Sequence, residues 1–107
     1  MHHLTTADKS LLVGDEAADV LMRYAAHVAR IRSADTVQLR ALSTDGNEVT
    51  ATFLLNSGTV LVIESTNSLL REPDNSAAVA YMIAQLGQFD LGGQQPFSPD
   101  MLDEGER

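Results

Sequence analysis

Residues 36–56 read TVQLRALSTDGNEVTATFLLN, and this stretch decides the fold. Apolar and polar side chains alternate along residues 36–43, which is the period of a β-strand with one buried face. Residues 48–56 repeat the alternation, and Asp45-Gly46 lies between the two runs. Asp-Gly tolerates the positive φ angles that tight hairpin turns require. The stretch therefore predicts an antiparallel β-hairpin.

Other segments complete the predicted architecture. Residues 59–66 are dense in Val, Leu and Ile and predict a third strand beside the second. Residues 15–32 carry apolar side chains at spacings of three and four, with acidic residues first and arginines last, so they predict a helix. Residues 76–89 predict a second helix. The expected fold is α+β, in the order helix, three-stranded antiparallel meander, helix, and residues 11–13 can add a short N-terminal strand.

The chain has 107 residues, which is the size of one ordinary domain. We expect this domain to span residues 10–90, after a flexible N-terminus at residues 1–9. Residues 91–107 are rich in Gly, Gln and Pro and then become acidic, which predicts a disordered acidic tail. The sequence begins without the pattern of a signal peptide, and its apolar runs are too short for a membrane span.

Charge and residue types exclude several functions. The 15 acidic and 7 basic residues give a formal net charge of −8. Nucleic acids and anionic membranes are bound through cations, so neither is expected as a partner. The chain has no cysteine, which excludes disulfides, thiol nucleophiles and thiolate metal sites and makes the cytoplasm the default location. We expect no cofactor and no bound metal.

Candidates for catalysis are few. The sequence lacks a G-x-S-x-G motif, a phosphate-binding glycine loop and a calcium loop. His27 lies between Arg23 and Arg30 along the first helix, and these cations disfavour a protonated imidazole or a bound metal ion. The three side chains form either a cationic strip for a carboxylate or phosphate or a solvated helix face. No catalytic residue is predicted, and the balance leans against an enzyme.

The most informative feature is the second predicted helix. Residues 75–89 contain no charged side chain, whereas a helix that covers one side of a sheet normally presents charges to water. This pattern favours a protein–protein surface, in a homodimer or with another protein, unless the helices cover opposite sheet faces and the apolar residues are core. The predicted interface residues are Ala77, Val79, Ala80, Tyr81, Ala84, Leu54, Leu61 and Ile63.

A second hypothesis concerns Glu64, which interrupts an apolar strand beside Ser65 and Thr66. A carboxylate in that position could line a cavity. The protein would then be a small-molecule-binding domain or a carboxylate-dependent enzyme, with a pocket near the end of the third strand. The alternative is an exposed strand edge. The first hypothesis, a small non-catalytic interaction module that is homodimeric, remains the preferred one.

The element order resembles that of small, uncharacterised single-domain proteins of actinobacteria. The similarity covers residues 10–90, with a helix that opens on GDE at 14–16, a meander, and a helix that opens on PDN at 73–75. The single lysine against six arginines agrees with a source of high GC content. The resemblance implies no catalytic residues. Small acidic secretion chaperones are similar in the helix–meander–helix core but add further strands and a third helix.

Overall fold

The computed structural model describes residues 1–92 of the chain, which form a five-stranded sheet and two helices. The sheet order is β4-β3-β2-β1-β5, and every neighbouring pair is antiparallel. The elements in chain order are β1 (His2–Thr6), β2 (Lys9–Val13), α1 (Asp15–Arg30), β3 (Asp35–Leu42), β4 (Glu48–Leu55), β5 (Val62–Ser65) and α2 (Ser76–Gly92).

The hairpin predicted from the alternating pattern is confirmed. β3 and β4 pair over their full length, from Asp35 opposite Leu55 to Leu42 opposite Glu48. Gly46 has a φ of +88° in the connecting turn, a conformation that side chains other than glycine rarely adopt. The turn residues therefore set the register that places the apolar residues of both strands on one face.

The predicted helix–meander–helix order is wrong, because the third strand does not follow the second in the sheet. β5 lies at the opposite edge, where it pairs with β1 and places Ile63 opposite Leu4. β1 and β2 form an N-terminal hairpin, so residues 1–9 are not the flexible segment that was expected, and residues 11–13 belong to β2. The sheet thus has five strands and dominates the fold.

Burial of a few apolar side chains explains why the N-terminal hairpin forms. Leu4 and Val13 are fully buried, and Leu11 packs against the core. Burying side chains of this size stabilises a fold by about 1.5–3 kcal/mol each. The hairpin also supplies β5 with a paired edge, which satisfies backbone groups that would otherwise lack partners. Apart from Leu12 and Ala7, its other residues are polar, so the sequence pattern of the hairpin is weak.

Both helices lie on one face of the sheet and pack against each other. A single core cluster joins residues of α1 and α2 to residues of β1, β2, β3 and β4. The opposite face of β3 and β4 is open to solvent and carries Gln38, Arg40, Thr50 and Thr52, which are exposed. The largest fully buried side chains are Leu4, Val13, Leu21, Leu39, Leu55 and Met82.

A left-handed residue ends α1 and turns the chain toward β3. Arg32 has a φ of +56° and its N–H donates to the carbonyl of Ala29 at 3.1 Å. The N–H of Ser33 donates to the carbonyl of Val28 at 3.0 Å. These two bonds define a Schellman motif, with arginine at the position where glycine is usual. α1 is thereby two residues shorter than the predicted 15–32 helix.

The side chain of Asn75 fixes the start of α2 against β3. Its Oδ1 accepts a 2.7 Å hydrogen bond from the N–H of Arg40, and its Nδ2 donates to the carbonyl of Arg40 at 2.8 Å. β2 and β3 pair only at Leu12 and Leu42, so the edge of β3 at Arg40 is not covered by β2. The amide of Asn75 takes the place of a strand residue there and holds α2 over the sheet.

α2 extends beyond the predicted 76–89 helix and continues through residue 92. The rest of the predicted disordered tail, residues 93–107, lies outside the described residues. Across residues 1–92, neither helix combines the length and the apolar character that a bilayer crossing requires.

Candidate functional site

α2 presents an apolar surface to solvent on the side away from the sheet. Met82 is fully buried and Val79 is 7% exposed, whereas Tyr81 and Ile83 are 43% and 45% exposed. No charged residue occurs between positions 75 and 89. We call this surface the uncharged face of α2, and it consists of Ala77, Ala80, Tyr81, Ile83, Ala84 and Gly87.

Small residues form the centre of the uncharged face. Ala77, Ala80, Ala84 and Gly87 recur at spacings of three and four, so they lie along one stripe of the helix. Small side chains along such a stripe let a second helix pack at the short end of the usual axial separations. The larger side chains on either side of the stripe can then cover the contact.

The structure separates the predicted interface residues into three groups. Val79 is in the core, and Leu61 and Ile63 are partly buried and pack against the core. Leu54 is 60% exposed, but it points to the open face of the sheet, on the side opposite α2. The uncharged face therefore retains Ala77, Ala80, Tyr81 and Ala84.

Two tyrosines and one carboxylate connect the edge of this face to the rest of the fold. The hydroxyl of Tyr81 donates a 2.6 Å hydrogen bond to Oδ2 of Asp35, and the hydroxyl of Tyr24 donates to the same oxygen. The N–H of Thr36 donates to Oδ1 of Asp35 at 2.8 Å. The two tyrosine rings meet edge to face, with centroids 6.2 Å apart. Asp35 thus joins α1, α2 and the start of β3.

These hydrogen bonds shift the pKa values of Asp35, Tyr24 and Tyr81. Burial raises the pKa of the Asp35 carboxyl, but hydrogen bonds from Tyr24 and Tyr81 outweigh it, and the pKa is lower than its ordinary value. Burial, and then the bond to Asp35, raise the pKa of Tyr24 far above its ordinary value. The bond to Asp35 also raises the pKa of Tyr81. At neutral pH the carboxyl is ionised and both hydroxyls keep their protons.

The proposed cationic strip on α1 is not a continuous surface. Arg23 and Arg30 are exposed, but His27 is only 8% exposed. The imidazole of His27 stacks on the ring of Tyr24, with centroids 6.3 Å apart. His27 therefore belongs to the cluster around Asp35 and not to the surface that the two arginines share with solvent.

Glu64 lies on an exposed part of β5 but has a histidine neighbour. Its side chain is 65% exposed, and its Oε1 is 3.7 Å from Nδ1 of His3 on β1. Nε2 of His3 is 2.5 Å from Oγ of Ser10 on β2. A hollow of about 410 Å³ adjoins His3 and Ser10, with Leu12 and Leu42 in its wall. The sequence hypothesis named Glu64 and missed His3 and Ser10, because both depend on the N-terminal hairpin.

Neither a cluster of metal-ligating side chains nor similarity to known proteins assigns a function to the residues described above. Among residues 1–92, no group of three or more His, Asp or Glu side chains is arranged to hold a metal ion. Comparisons of the chain with protein-family models, with curated proteins and with solved structures find no match.

Proposed function

We propose that this protein is a small, non-catalytic interaction module that forms a homodimer through the uncharged face of α2. The observation that carries the proposal is a solvent-facing helix surface without a single charge in a chain of net charge −8. Surface helices normally keep charged side chains in water. Burying an uncharged apolar face requires no charge to be desolvated, so association there is favoured.

A second copy of the chain is the partner that suits this face. In a two-fold dimer the same patch meets itself, so the small residues of one helix oppose the small residues of the other. Two acidic chains repel each other over most of their surfaces, and the repulsion is least where no charge is present. Tyr81 and Ile83, at the two edges, would then shield the contact from water.

Arginine substitution tests this proposal. Ala84→Arg places a charge in the middle of the uncharged face, and we expect it to weaken the dimer by about tenfold or more, which corresponds to about 1.4 kcal/mol. Ala26→Arg is the matched control, because Ala26 is an exposed alanine of α1. Sedimentation velocity over a range of concentrations measures both. A parent chain that is monomeric throughout, or an Ala84→Arg variant that associates like the parent, contradicts the proposal.

The proposal extends to partner class and location. The partner is this chain itself or, at the same face, another protein, and the charge of −8 argues against nucleic acid and anionic membrane. We place the module in the cytoplasm, which is the default location for a chain without cysteine.

Hydrolysis of a small ester is a second candidate function, which the Ser10–His3 contact favours. His3 Nε2 could accept the proton of the Ser10 hydroxyl as that oxygen attacks the ester carbonyl, and then give this proton to the alcohol that leaves when the ester C–O bond breaks. Water, deprotonated by the same imidazole, would then release the acid from Ser10, while Glu64 orients the ring through Nδ1. The 3.7 Å separation of His3 and Glu64 exceeds a hydrogen bond, so this pair must close during the reaction. The adjoining hollow of about 410 Å³ could hold the acyl group.

The hydrolysis of p-nitrophenyl acetate tests the second candidate. We expect the parent chain to exceed the buffer rate, Ser10→Ala to lose the excess, and Ser57→Ala, at an exposed serine, to retain it. Equal rates for the parent and Ser10→Ala would remove hydrolysis from consideration and leave the homodimer proposal unaffected.

A further inference from the structure

A cleft of about 440 Å³ opens between the end of α1, the start of β3 and α2. Its lining includes the rings of Tyr24, His27 and Tyr81 together with Asp35 and Gln85. Because Tyr24 and Tyr81 donate to one oxygen of Asp35, the rings and the carboxylate are held together as one unit. The dimer proposed above uses only Tyr81 of these residues, and the inference that follows does not depend on that dimer.

Among residues 1–92, the carboxylate of Asp35 forms no ion pair with a lysine or arginine side chain. No lysine or arginine of the described chain lines the cleft. The donors to Asp35 are two hydroxyls and the N–H of Thr36, all of them neutral. These dipoles stabilise the carboxylate but leave its charge in place.

Three features of the surroundings also favour a positive charge. Tyrosine rings attract cations at their faces, and both tyrosines of the chain line the cleft. The C-terminal end of α1, where Ile31 lines the cleft, carries the negative end of the helix dipole. The net charge of −8 raises the local concentration of cations around the whole chain.

We propose that this cleft binds an organic cation, an ammonium or guanidinium group, which pairs with Asp35 and contacts the rings of Tyr24 and Tyr81. A metal ion fits less well, because metal sites take several donor side chains and the described residues offer no group of three or more. The cation is carried either by a small molecule or by a lysine or arginine side chain of another protein. The recognition chemistry is the same in both cases.

Tyrosine fluorescence measures this binding selectively. Tyr24 and Tyr81 are the only two tyrosines, and the chain has no tryptophan, so the signal comes from the cleft alone. We expect N-acetyl-arginine amide to change the fluorescence in a saturable way. N-acetyl-citrulline amide, its neutral isostere, should bind on the order of tenfold more weakly, because it lacks the charge. Equal binding of the two probes, or no saturable change with the arginine probe, overturns the proposal.

The source of the cation is distinguished with a peptide probe. An Ala-Arg-Ala peptide that binds more tightly than N-acetyl-arginine amide assigns the cleft to a protein side chain, since its flanking backbone then adds contacts. Equal affinities assign the cleft to a free small molecule. Both results uphold the cationic site itself, which the citrulline comparison decides.

A pair of carboxylate variants locates the site. Asp35→Asn removes the charge and should reduce the affinity for the arginine probe on the order of tenfold. Asp19→Asn removes an exposed carboxylate of α1 and should leave the affinity unchanged. An Asp35→Asn variant that is folded and binds like the parent overturns the proposal. The arginine–citrulline comparison uses the unmodified chain, so it decides the question even where Asp35→Asn fails to fold.

Discussion

Tyr81 on α2 donates a 2.6 Å hydrogen bond to Asp35 at the start of β3, across 46 positions of sequence. This bond fixes the rotation of α2 about its own axis, because Tyr81 can reach Asp35 in only one orientation of the helix. In that orientation Met82 is buried in the core and Ala84 faces solvent. A single polar contact thus helps to decide which side of α2 remains available for association.

Both tyrosines should titrate above the ordinary tyrosine pKa. Burial and the bond to Asp35 raise the pKa of Tyr24, and the bond to Asp35 raises that of Tyr81. Since these pKa values are higher in the folded chain, the stability they contribute is complete below the unfolded value of about 10 and is lost as pH rises beyond it. Ultraviolet absorbance of the phenolate measures the titration.

The Asp35→Asn variant is the control for this titration. Removing the charge should lower both apparent pKa values toward the ordinary value, because phenolate formation no longer meets a neighbouring carboxylate. Tyrosines that titrate in the parent as they do in the chain unfolded by denaturant would show that the bonds to Asp35 do not persist in solution.

Two neighbouring substitutions test the orientation of α2. Met82→Ala should lower the free energy of unfolding by about 2–5 kcal/mol, because Met82 is fully buried. Ile83→Ala should cost less than about 1 kcal/mol, because Ile83 is 45% exposed. Both are measured by urea unfolding in the Ala84→Arg background, so that association does not contribute. Equal losses at the two positions would mean that the helix is rotated from the orientation described.

Arg32→Gly should stabilise the chain. Arg32 occupies the left-handed region with a φ of +56°, where an L side chain is strained and glycine is not. We expect a gain of about 0.5–1 kcal/mol in the free energy of unfolding, since the greater freedom of glycine in the unfolded chain offsets part of the relief. Ala26→Gly, within α1, should instead lose about 1 kcal/mol. A loss of stability in Arg32→Gly would contradict the Schellman geometry.

The β3–β4 hairpin could be predicted because its signals are local. Asp45-Gly46 marks the turn, and the alternation on both sides defines the strands and the buried face. The N-terminal hairpin lacks such signals. Its turn contains Ala7 at a φ of +52° in place of a glycine, and its strands mix histidine, threonine and lysine with few apolar residues. When the N-terminal hairpin is not recognised in the sequence, β4 is the only predicted strand beside which β5 can be placed.

The candidate surfaces also include features that local sequence signals predict and features that they do not. The lack of charge between residues 75 and 89 is visible in the sequence, and Ala77, Ala80 and Ala84 are exposed. The 45% exposure of Ile83 could not be predicted, because helical spacing alone allows more than one buried side in a helix with apolar residues on several sides. The contacts of Asp35 with the two tyrosines could not be predicted, since they join separate elements and no local spacing relates them.

Spin labelling of α2 tests the proposed homodimer most directly. The chain has no cysteine, so Ala80→Cys accepts one nitroxide in the middle of the uncharged face, and Ala26→Cys accepts one on α1 as the control. Helices packed through small residues lie roughly 8–10 Å apart, close enough for strong dipolar coupling between labels at position 80 of two copies. We predict a broadened spectrum for the label at position 80 that sharpens when excess unlabelled chain is added, and less broadening for the label at position 26. A spectrum at position 80 that does not change on dilution with unlabelled chain would contradict the homodimer.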